Sequence, residues 1–184
     1  EASRETAILT ILNHQSLIAT KAARVVYAAK GDGIMEFGLR RAQGPDAGVY
    51  GARAAVIGGC VGTSNVLCGQ LFDVPVKGTH AHSWIMSFPD EYTAFKNHAD
   101  LYPNACCLLV DTYDTRKSGV PNAIRVFGMR EAGIPLKKLW HPSGQRRPGL
   151  HVQAGEKASR RCRFEDAYIS ASSDLDEYLI DSLK

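Results

Sequence analysis

The sequence predicts an α/β fold, because helical periods alternate along the chain with short apolar runs of strand length. Residues 5–29 place apolar side chains at three- and four-residue spacing, which is typical of an amphipathic helix, and Lys30-Gly31 marks its end. The run ACCLLVD (105–111) is almost entirely apolar and ends in an acid, as central parallel strands do. The 184 residues suffice for one domain with a core, or for a piece of a larger protein.

The other elements follow from the same signals of period, glycine and proline. Further short strands are predicted at residues 34–39, 74–79 and 168–172. Further helices are predicted at residues 46–57, 63–70, 89–101, 119–132 and 174–183. The core-facing side of the first helix is expected to carry Ile8, Ile11, Leu12, Leu17 and Ile18.

Charge and cysteine usage exclude several classes of protein. The net charge of +3 is concentrated in residues 140–163, which hold six basic residues, one acid and no clear period. This segment lacks the interleaved aromatic residues of a nucleic-acid site, so we interpret it as a solvated basic stretch. The five cysteines form no CxxC pair, which favours a reducing cytosol over a disulfide framework or a zinc knuckle. No apolar run is long enough for a bilayer, so we expect a cytoplasmic protein without nucleic-acid or membrane partners.

Two polar clusters follow neighbouring predicted strands. The stretch KGTHAHSWIMSF (77–88) contains His80 and His82 just after one strand, and Asp111 and Asp114 follow the next. Side chains at the carboxyl ends of parallel strands share one edge, where such folds carry their chemistry. The histidines are open to three interpretations: hydrogen-bonded structural residues, metal ligands or a nucleophile.

The metal interpretation is the weakest of the three. An HxH pair after a barrel strand is typical of metal-dependent amidohydrolases, but these need further ligands from later strand ends. Before residue 140 only His98 follows, inside a predicted helix. We therefore expect no metal site. The nucleophilic interpretation fits better, because a histidine nitrogen accepts a phosphoryl group and a carboxylate such as Asp111 fixes its tautomer.

EFGLRRAQGPD (36–46) offers a second candidate site. Phe37 ends a predicted strand and precedes Arg40 and Arg41. An aromatic face stacks on planar rings, and a guanidinium group suits phosphate or carboxylate. The alternative is a core phenylalanine with two solvated arginines.

Together these stretches resemble the nicotinate phosphoribosyltransferase family. The matching stretches are MEFGLRRAQGPD, GARAAVIGGCVGTSNVLCG, VPVKGTHAHSWIMSF, LLVDTYDT followed by GVPNAI, and FEDAYISASSDLDEYLI. The resemblance implies an irregular α/β barrel of the type II phosphoribosyltransferase kind and an enzyme of NAD synthesis. Such enzymes form nicotinate mononucleotide from nicotinate and phosphoribosyl pyrophosphate, with Mg²⁺ and with ATP hydrolysis through a phosphohistidine. A homodimer is also implied, as are an N-terminal lobe and a C-terminal part outside residues 1–184.

The resemblance assigns roles to residues of the histidine stretch. His82 matches the phosphorylated histidine, and Asp111 matches the acid that pairs with it. Thr79 matches a threonine that contacts nicotinate, whereas His80 lies at a variable place in the motif.

It also assigns roles in the first third of the chain. By analogy with related nicotinamide enzymes, Phe37 matches a ring-stacking aromatic residue and Arg40 an arginine near the phosphates. Ser64, in GTSN, is a further candidate for the pyridine pocket.

Residues 140–163 depart from the family pattern. After GIPLKK the family has a strand resembling YGIRLDSGDLAY, which supplies an arginine and an aspartate. With suitable synonymous codons the reading frame one nucleotide later, from Leu139 onward, encodes YGIRLDSGDLAYMSKQARK. We therefore interpret residues 140–163 as a frameshifted segment and expect one barrel strand and two site residues to be missing. The alternative function is then an inactive fragment or a pseudoenzyme of the same family.

Overall fold

The structure is a computed structural model that describes residues 2–103, 106–129, 138–142, 168–172 and 174–183. The chain forms two compact units. The first consists of Glu1–Gly78 with Leu175–Lys184, and the second of Thr79–Asp174. Within the described part of the chain, no helix is both long enough and apolar enough to cross a membrane.

The first unit is built on two long helices and a short one. Helix α1 spans Ala2–Ala28 and ends before two residues with positive φ, Lys30 at 49° and Gly31 at 100°. Helix α2 spans Pro45–Ile57. Gly58 follows it so closely against α1 that a Cβ atom there would lie 2.6 Å from the Ala19 carbonyl oxygen. The close approach of the two backbones therefore requires a glycine.

The predicted core face of α1 is only partly correct. Four of the five expected core residues are exposed: Ile8, Ile11, Leu12 and Leu17. Ile18 packs as expected against a cluster of Ala22, Ala55 and Cys60. The helical period identifies an apolar face but not the element that covers it, which explains the error. Burial and the nearby Glu36 carboxylate raise the pKa of the Cys60 thiol to about 11, so this cysteine stays protonated.

Short parallel strands connect the loops of the first unit. Strand β1 (Met35–Glu36) pairs with β2 (Gly62–Thr63), and helix α3 (Val66–Phe72) follows. The predicted strand at 34–39 is thus reduced to two residues, because a 3₁₀ turn begins at Leu39. The predicted strand at 74–79 is reduced to one parallel bridge between Val76 and Thr63. The Thr63 N–H donates to the Pro75 carbonyl oxygen at 3.0 Å, and the Lys77 N–H donates to the Thr63 carbonyl oxygen at 3.0 Å.

The C-terminal helix of the first unit, α7 (Glu177–Ser182), is attached to α1 by charge pairs. Glu177 forms ion pairs with Lys21 and Arg24, and Asp181 forms one with Lys30. These pairs are largely exposed on their basic side, so each contributes little to stability. They fix the position of α7 on α1 more than they stabilise the fold.

The second unit alternates helices with a parallel sheet. Its helices are α4 (His82–Met86), α5 (Glu91–Leu101) and α6 (Val120–Met129). The predicted strand in 105–111 is confirmed as β3 (Cys107–Leu109), which is buried on both faces. Cys106 and Cys107 are buried, as expected, whereas Cys162 lies outside the described residues.

Strand β4 (Lys138–Pro142) lies between β3 and β5 (Tyr168–Ser172), and all three run parallel. The expectation that the strand after the sixth helix is missing is therefore wrong. A parallel ladder is made by backbone groups, and residues 138–142 supply them. The rest of the basic segment, residues 143–163, lies outside the described residues.

The start of α5 is held by an N-cap. One carboxylate oxygen of Asp90 accepts from the Thr93 backbone N–H at 2.8 Å, and the other accepts from its hydroxyl at 2.8 Å. These hydrogen bonds lower the pKa of Asp90. Asp90→Ala is expected to lower the free energy of unfolding by about 1 kcal/mol, measured by urea denaturation. Asp100→Ala, which removes an exposed i,i+4 pair with Lys96 on the same helix, is the matched control and is expected to change it by less than about 0.5 kcal/mol. Equal losses in both variants would contradict a capping role.

Candidate active site

His82 is the first residue of α4, directly after the N-cap Ala81. Its imidazole is half exposed, and its two ring nitrogens face the turn that follows β3. Nδ1 lies 3.1 Å from the Thr112 hydroxyl oxygen, and Nε2 lies 3.9 Å from Asp111 Oδ1. The first contact is a hydrogen bond, and the second places the Asp111 carboxylate beside the other ring nitrogen.

Asp111 lies directly after the apolar run of β3, at the point where polar residues begin. Leu109 ends β3 and Val110 is fully buried, whereas the Asp111 side chain retains 20% exposure. Asp114 has a different role from Asp111, because its carboxylate accepts from the backbone N–H groups of Arg116 and Lys117. These bonds lower the pKa of Asp114 and fix the turn. The turn presents Asp111 and Thr112 to the histidine.

A buried acid lies behind this turn. Glu91 is 3% exposed and accepts a hydrogen bond from the Ser118 hydroxyl. Burial raises the pKa of Glu91, and the negative charges of Asp111 and Asp114 add to this effect. The second unit therefore collects three carboxylates around the end of β3.

His80, in contrast, matches the structural interpretation of the histidine pair. It is 7% exposed, and its Nε2 accepts from the Leu109 backbone N–H at 3.1 Å. Burial, with the nearby His98 ring, lowers the pKa of His80 to about 4. A histidine neutral at physiological pH and bonded to a backbone amide is a packing residue rather than the nucleophile.

Thr79 belongs to the same loop as the two histidines. Its side chain is partly buried, and its hydroxyl donates to the His80 carbonyl oxygen at 2.9 Å. The second unit thus holds three of the predicted site residues, Thr79, His82 and Asp111, on the loop before α4 and at the end of β3.

The other three predicted residues lie in the first unit, on the segments that follow β1 and β2. Phe37 and Ser64 are partly buried, and Arg40 is exposed. The Ser64 backbone N–H donates to the Glu36 carbonyl oxygen at 3.0 Å. This bond brings the β1 and β2 ends together within the unit.

Sequence reasoning missed three residues that shape these loops. Thr112 contacts His82, Glu91 lies behind the turn, and Glu36 accepts from the Thr63 hydroxyl at 2.5 Å and from the Gly38 N–H. Thr112 has a detectable signal, since it directly follows the acid that ends a buried strand. The two glutamates resemble ordinary surface acids in the sequence, and only the fold reveals that Glu91 is buried.

Known relatives share the sequence of both units. The chain is 47% identical over 189 residues to the nicotinate phosphoribosyltransferase of Bacillus subtilis, covering 98% of this chain and 36% of the relative. It is 36% identical to the nicotinate phosphoribosyltransferase of Dictyostelium discoideum, covering 97% of this chain and 38% of the relative. The chain belongs to the nicotinate phosphoribosyltransferase family. It spans little more than a third of these two relatives' length, and no family model matches it.

Solved structures of the nicotinate phosphoribosyltransferase family share the fold. The human nicotinic acid phosphoribosyltransferase matches with a TM-score of 0.78 at 29% identity, over 97% of this chain and 46% of that chain. A nicotinate-nucleotide pyrophosphorylase from Pyrococcus furiosus matches with a TM-score of 0.81 at 27% identity, over 92% and 43%. The mixed helix and sheet predicted from the sequence is therefore confirmed.

Within the described residues of this nicotinate phosphoribosyltransferase family member, no group of three or more histidine, cysteine, aspartate or glutamate side chains is arranged to hold a metal ion. The carboxylates near β3 are tied to hydrogen-bond donors instead, as Glu91 is to Ser118 and Asp114 is to the turn.

Proposed function

We propose that the protein to which this chain belongs forms nicotinate mononucleotide from nicotinate and phosphoribosyl pyrophosphate, with ATP hydrolysis through a phosphohistidine at His82. One observation carries the proposal: an exposed imidazole on a matching motif has one nitrogen facing the carboxylate of Asp111 and the other facing Thr112. A carboxylate keeps one ring nitrogen protonated and leaves a lone pair on the other, which makes the imidazole a nucleophile.

The proposed reaction has three balanced steps. A His82 nitrogen attacks the γ-phosphorus of ATP, forming an N–P bond as the bond to ADP breaks. The pyridine nitrogen of nicotinate then attacks C1 of the ribose, and pyrophosphate departs with the bonding electrons. Water finally hydrolyses the phosphohistidine to phosphate and free imidazole. Hydrolysis of the N–P bond draws an otherwise poorly favourable transfer towards the nucleotide.

The remaining predicted residues are proposed to bind substrates. In the second unit, Thr79 offers a hydroxyl for nicotinate. In the first unit, Phe37 offers a ring face for stacking, and Arg40, exposed on a 3₁₀ turn, is suited to a phosphate group. Ser64, also in the first unit, is a further candidate for contact with the pyridine ring.

The finer architecture is likewise proposed. The sequential parallel order of β3, β4 and β5 is that of consecutive barrel strands, and it supports an irregular α/β barrel of the type II phosphoribosyltransferase kind. Mg²⁺ accompanies ATP and phosphoribosyl pyrophosphate, since it prefers substrate phosphates with few protein carboxylates. The full-length protein is proposed to be a cytoplasmic homodimer. The frameshift interpretation of residues 140–163 stays a prediction.

Transfer of label from [γ-³²P]ATP tests the proposed phosphohistidine. The 184-residue chain is expected to acquire acid-labile, alkali-stable label that maps to His82. His82→Ala is expected to reduce the label to background, and Asp111→Asn to slow labelling by about 10²-fold. Asp100→Asn, an exposed acid on α5 outside the site, is the matched control and should label like the wild type.

The same samples also show whether the chain forms nicotinate mononucleotide. Nicotinate mononucleotide is measured by chromatography after addition of nicotinate and phosphoribosyl pyrophosphate. A folded chain that acquires label equally with and without His82 contradicts the proposed nucleophile. A folded chain with neither label nor product supports the alternative of an inactive fragment or pseudoenzyme.

A further inference from the structure

His80 ties the loop before α4 to the edge of the sheet. Its Nε2 accepts from the Leu109 backbone N–H at 3.1 Å, and Leu109 is the last residue of β3. Among the described strands, β3 has only β4 as a neighbour. A histidine side chain thus takes up a strand-edge N–H that would otherwise be buried and unsatisfied.

The hydrogen bond defines the state of the His80 ring. Because Nε2 accepts, the proton of the neutral imidazole must lie on Nδ1. Two rings of α5 pack against the His80 ring. The centroid of the His98 ring, which is edge-on, lies 4.7 Å from the His80 centroid, and that of the Phe95 ring lies 5.9 Å from it. Burial in this apolar and aromatic surrounding, together with His98 and His82, opposes a charge on His80.

His80 and His82, two residues apart, both contact the end of β3 and the turn that follows it. His80 bonds to Leu109, and His82 meets the turn at Thr112 and Asp111. The first contact is buried, and the second is half exposed to water. A buried, geometrically fixed hydrogen bond is the stronger constraint, so it sets the separation at which the exposed ring operates.

We propose that His80 is a positioning residue, which as an uncharged acceptor for the Leu109 amide holds the His82 imidazole in register with Asp111 and Thr112. The proposal rests on the function proposed above for its catalytic consequence. Its structural part, the link between the acceptor at residue 80 and the placement of His82, stands independently.

Two substitutions separate the acceptor from the volume of the side chain. His80→Leu keeps an apolar group of similar size but leaves the Leu109 N–H without a partner. His80→Gln places an amide oxygen at about the same reach as Nε2. We expect His80→Leu to lower the rate of His82 phosphorylation by about 10²-fold with little change in the KM for ATP. His80→Gln is expected to recover most of that rate.

Nuclear magnetic resonance of the full 184-residue chain tests the structural part without activity. The wild type is expected to show His80 with a proton on Nδ1 and none on Nε2, and a Leu109 amide protected from hydrogen exchange. Cross-relaxation between the His82 ring and the Thr112 methyl group should be strong in the wild type and in His80→Gln, and weak in His80→Leu.

Each outcome decides the proposal. A His80 ring protonated on Nε2, or unchanged His82–Thr112 contacts in His80→Leu, overturns it. If His80→Leu does not fold, the wild-type tautomer and the His80→Gln spectra still decide. If the wild type forms no phosphohistidine while the spectra are as expected, the function proposed for this chain fails and the positioning role remains.

Discussion

Replacing Gly119 with alanine is expected to lower the free energy of unfolding by about 3 kcal/mol or more. Gly119 is the last residue of a π-helical turn, Thr115–Gly119, that leads into α6. A Cβ atom there would lie 1.8 Å from the Val110 carbonyl oxygen and 2.7 Å from its carbonyl carbon. Both are backbone atoms, so no change of side-chain rotamer relieves the clash. Either the start of α6 or the end of β3 has to move.

The same displacement is expected to reach the candidate active site. Val110 directly precedes Asp111, whose carboxylate lies 3.9 Å from the His82 ring. A shift of about 1 Å in a reacting group costs an enzyme about 10²-fold in rate. Gly119→Ala protein that still folds at low temperature is therefore expected to label from [γ-³²P]ATP at least about tenfold more slowly than the wild type.

Gly128, on the helix α6 that follows this turn, provides the matched control. It is exposed, and a Cβ atom there meets nothing within 4 Å. Gly128→Ala should raise the free energy of unfolding by about 0.5–1 kcal/mol, since alanine restricts the unfolded chain and favours helix. Urea denaturation followed by circular dichroism measures both variants. A Gly119→Ala midpoint equal to that of the wild type would show that the contact with Val110 is looser than the structure has it.

Elements with a strong local signal are the ones the sequence predicts well. The buried strand β3 is recognisable from its unbroken apolar run, and α5 from its period and from Pro89 near its first turn. The C-terminal helix was predicted from residue 174, whereas it begins at Glu177, because Asp176 caps it. Such shifts arise because a cap is chosen by hydrogen-bond geometry among several nearby polar residues.

The wrong predictions share one cause, which is that they depend on partners distant in sequence. Residues 74–79 have strand composition, but with the described residues they form a single bridge, between Val76 and Thr63 of β2. Strand β4, which is expected from the sequence to be missing, forms because β3 and β5 offer backbone groups on both sides. Pairing of this kind is decided by tertiary context rather than by propensity.

The candidate site was predictable to the extent that it follows strand ends. His82 and Asp111 were recognisable because each comes just after a predicted strand, and their proximity followed from parallel topology. Spacing alone does not predict that His80 is the buried packing residue and His82 the exposed residue that faces Asp111. This assignment depends on which ring is buried beside α5 and which faces water, and that is a property of the packed unit.

Acid is expected to destabilise the protein through His80. The pH range is set by the pKa of His80 in the unfolded chain and its pKa in the folded protein. Burial first, and then the His98 ring, lower the pKa of His80 from 6.5 to about 4 in the folded protein. Between these values the unfolded chain binds a proton that the folded chain excludes. The free energy of unfolding therefore falls as the pH drops below about 6.5, and this loss is complete near pH 4.

The size of the effect follows from the difference between the two pKa values. A shift of this size corresponds to about 3 kcal/mol, most of which is lost between pH 6.5 and 4.5. Burial also lowers the pKa of His98, so its contribution has the same sign. Glu91 acts in the opposite direction, because its raised pKa lets the folded state take up a proton above pH 4.5. Three acids have lowered pKa values: Asp90 and Asp114 lose their contribution only below about pH 4, and Glu177 only below about pH 4.5.

The variant His80→Gln separates the proton linkage of His80 from its hydrogen bond to Leu109. Its amide accepts the Leu109 hydrogen bond but does not titrate, so the chain keeps the packing and loses the proton linkage. Urea denaturation at intervals between pH 7.5 and 4.5 should show a steep fall in the wild type and a much shallower one in His80→Gln. The pH dependence that remains in His80→Gln reports the contributions of His98 and Glu91. If the free energy of unfolding changed with pH equally in the two proteins, His80 would have to be protonated in the folded state. A neutral His80 in the folded state is also the condition for accepting the Leu109 N–H, so the pH dependence of stability and the placement of His82 have one physical origin.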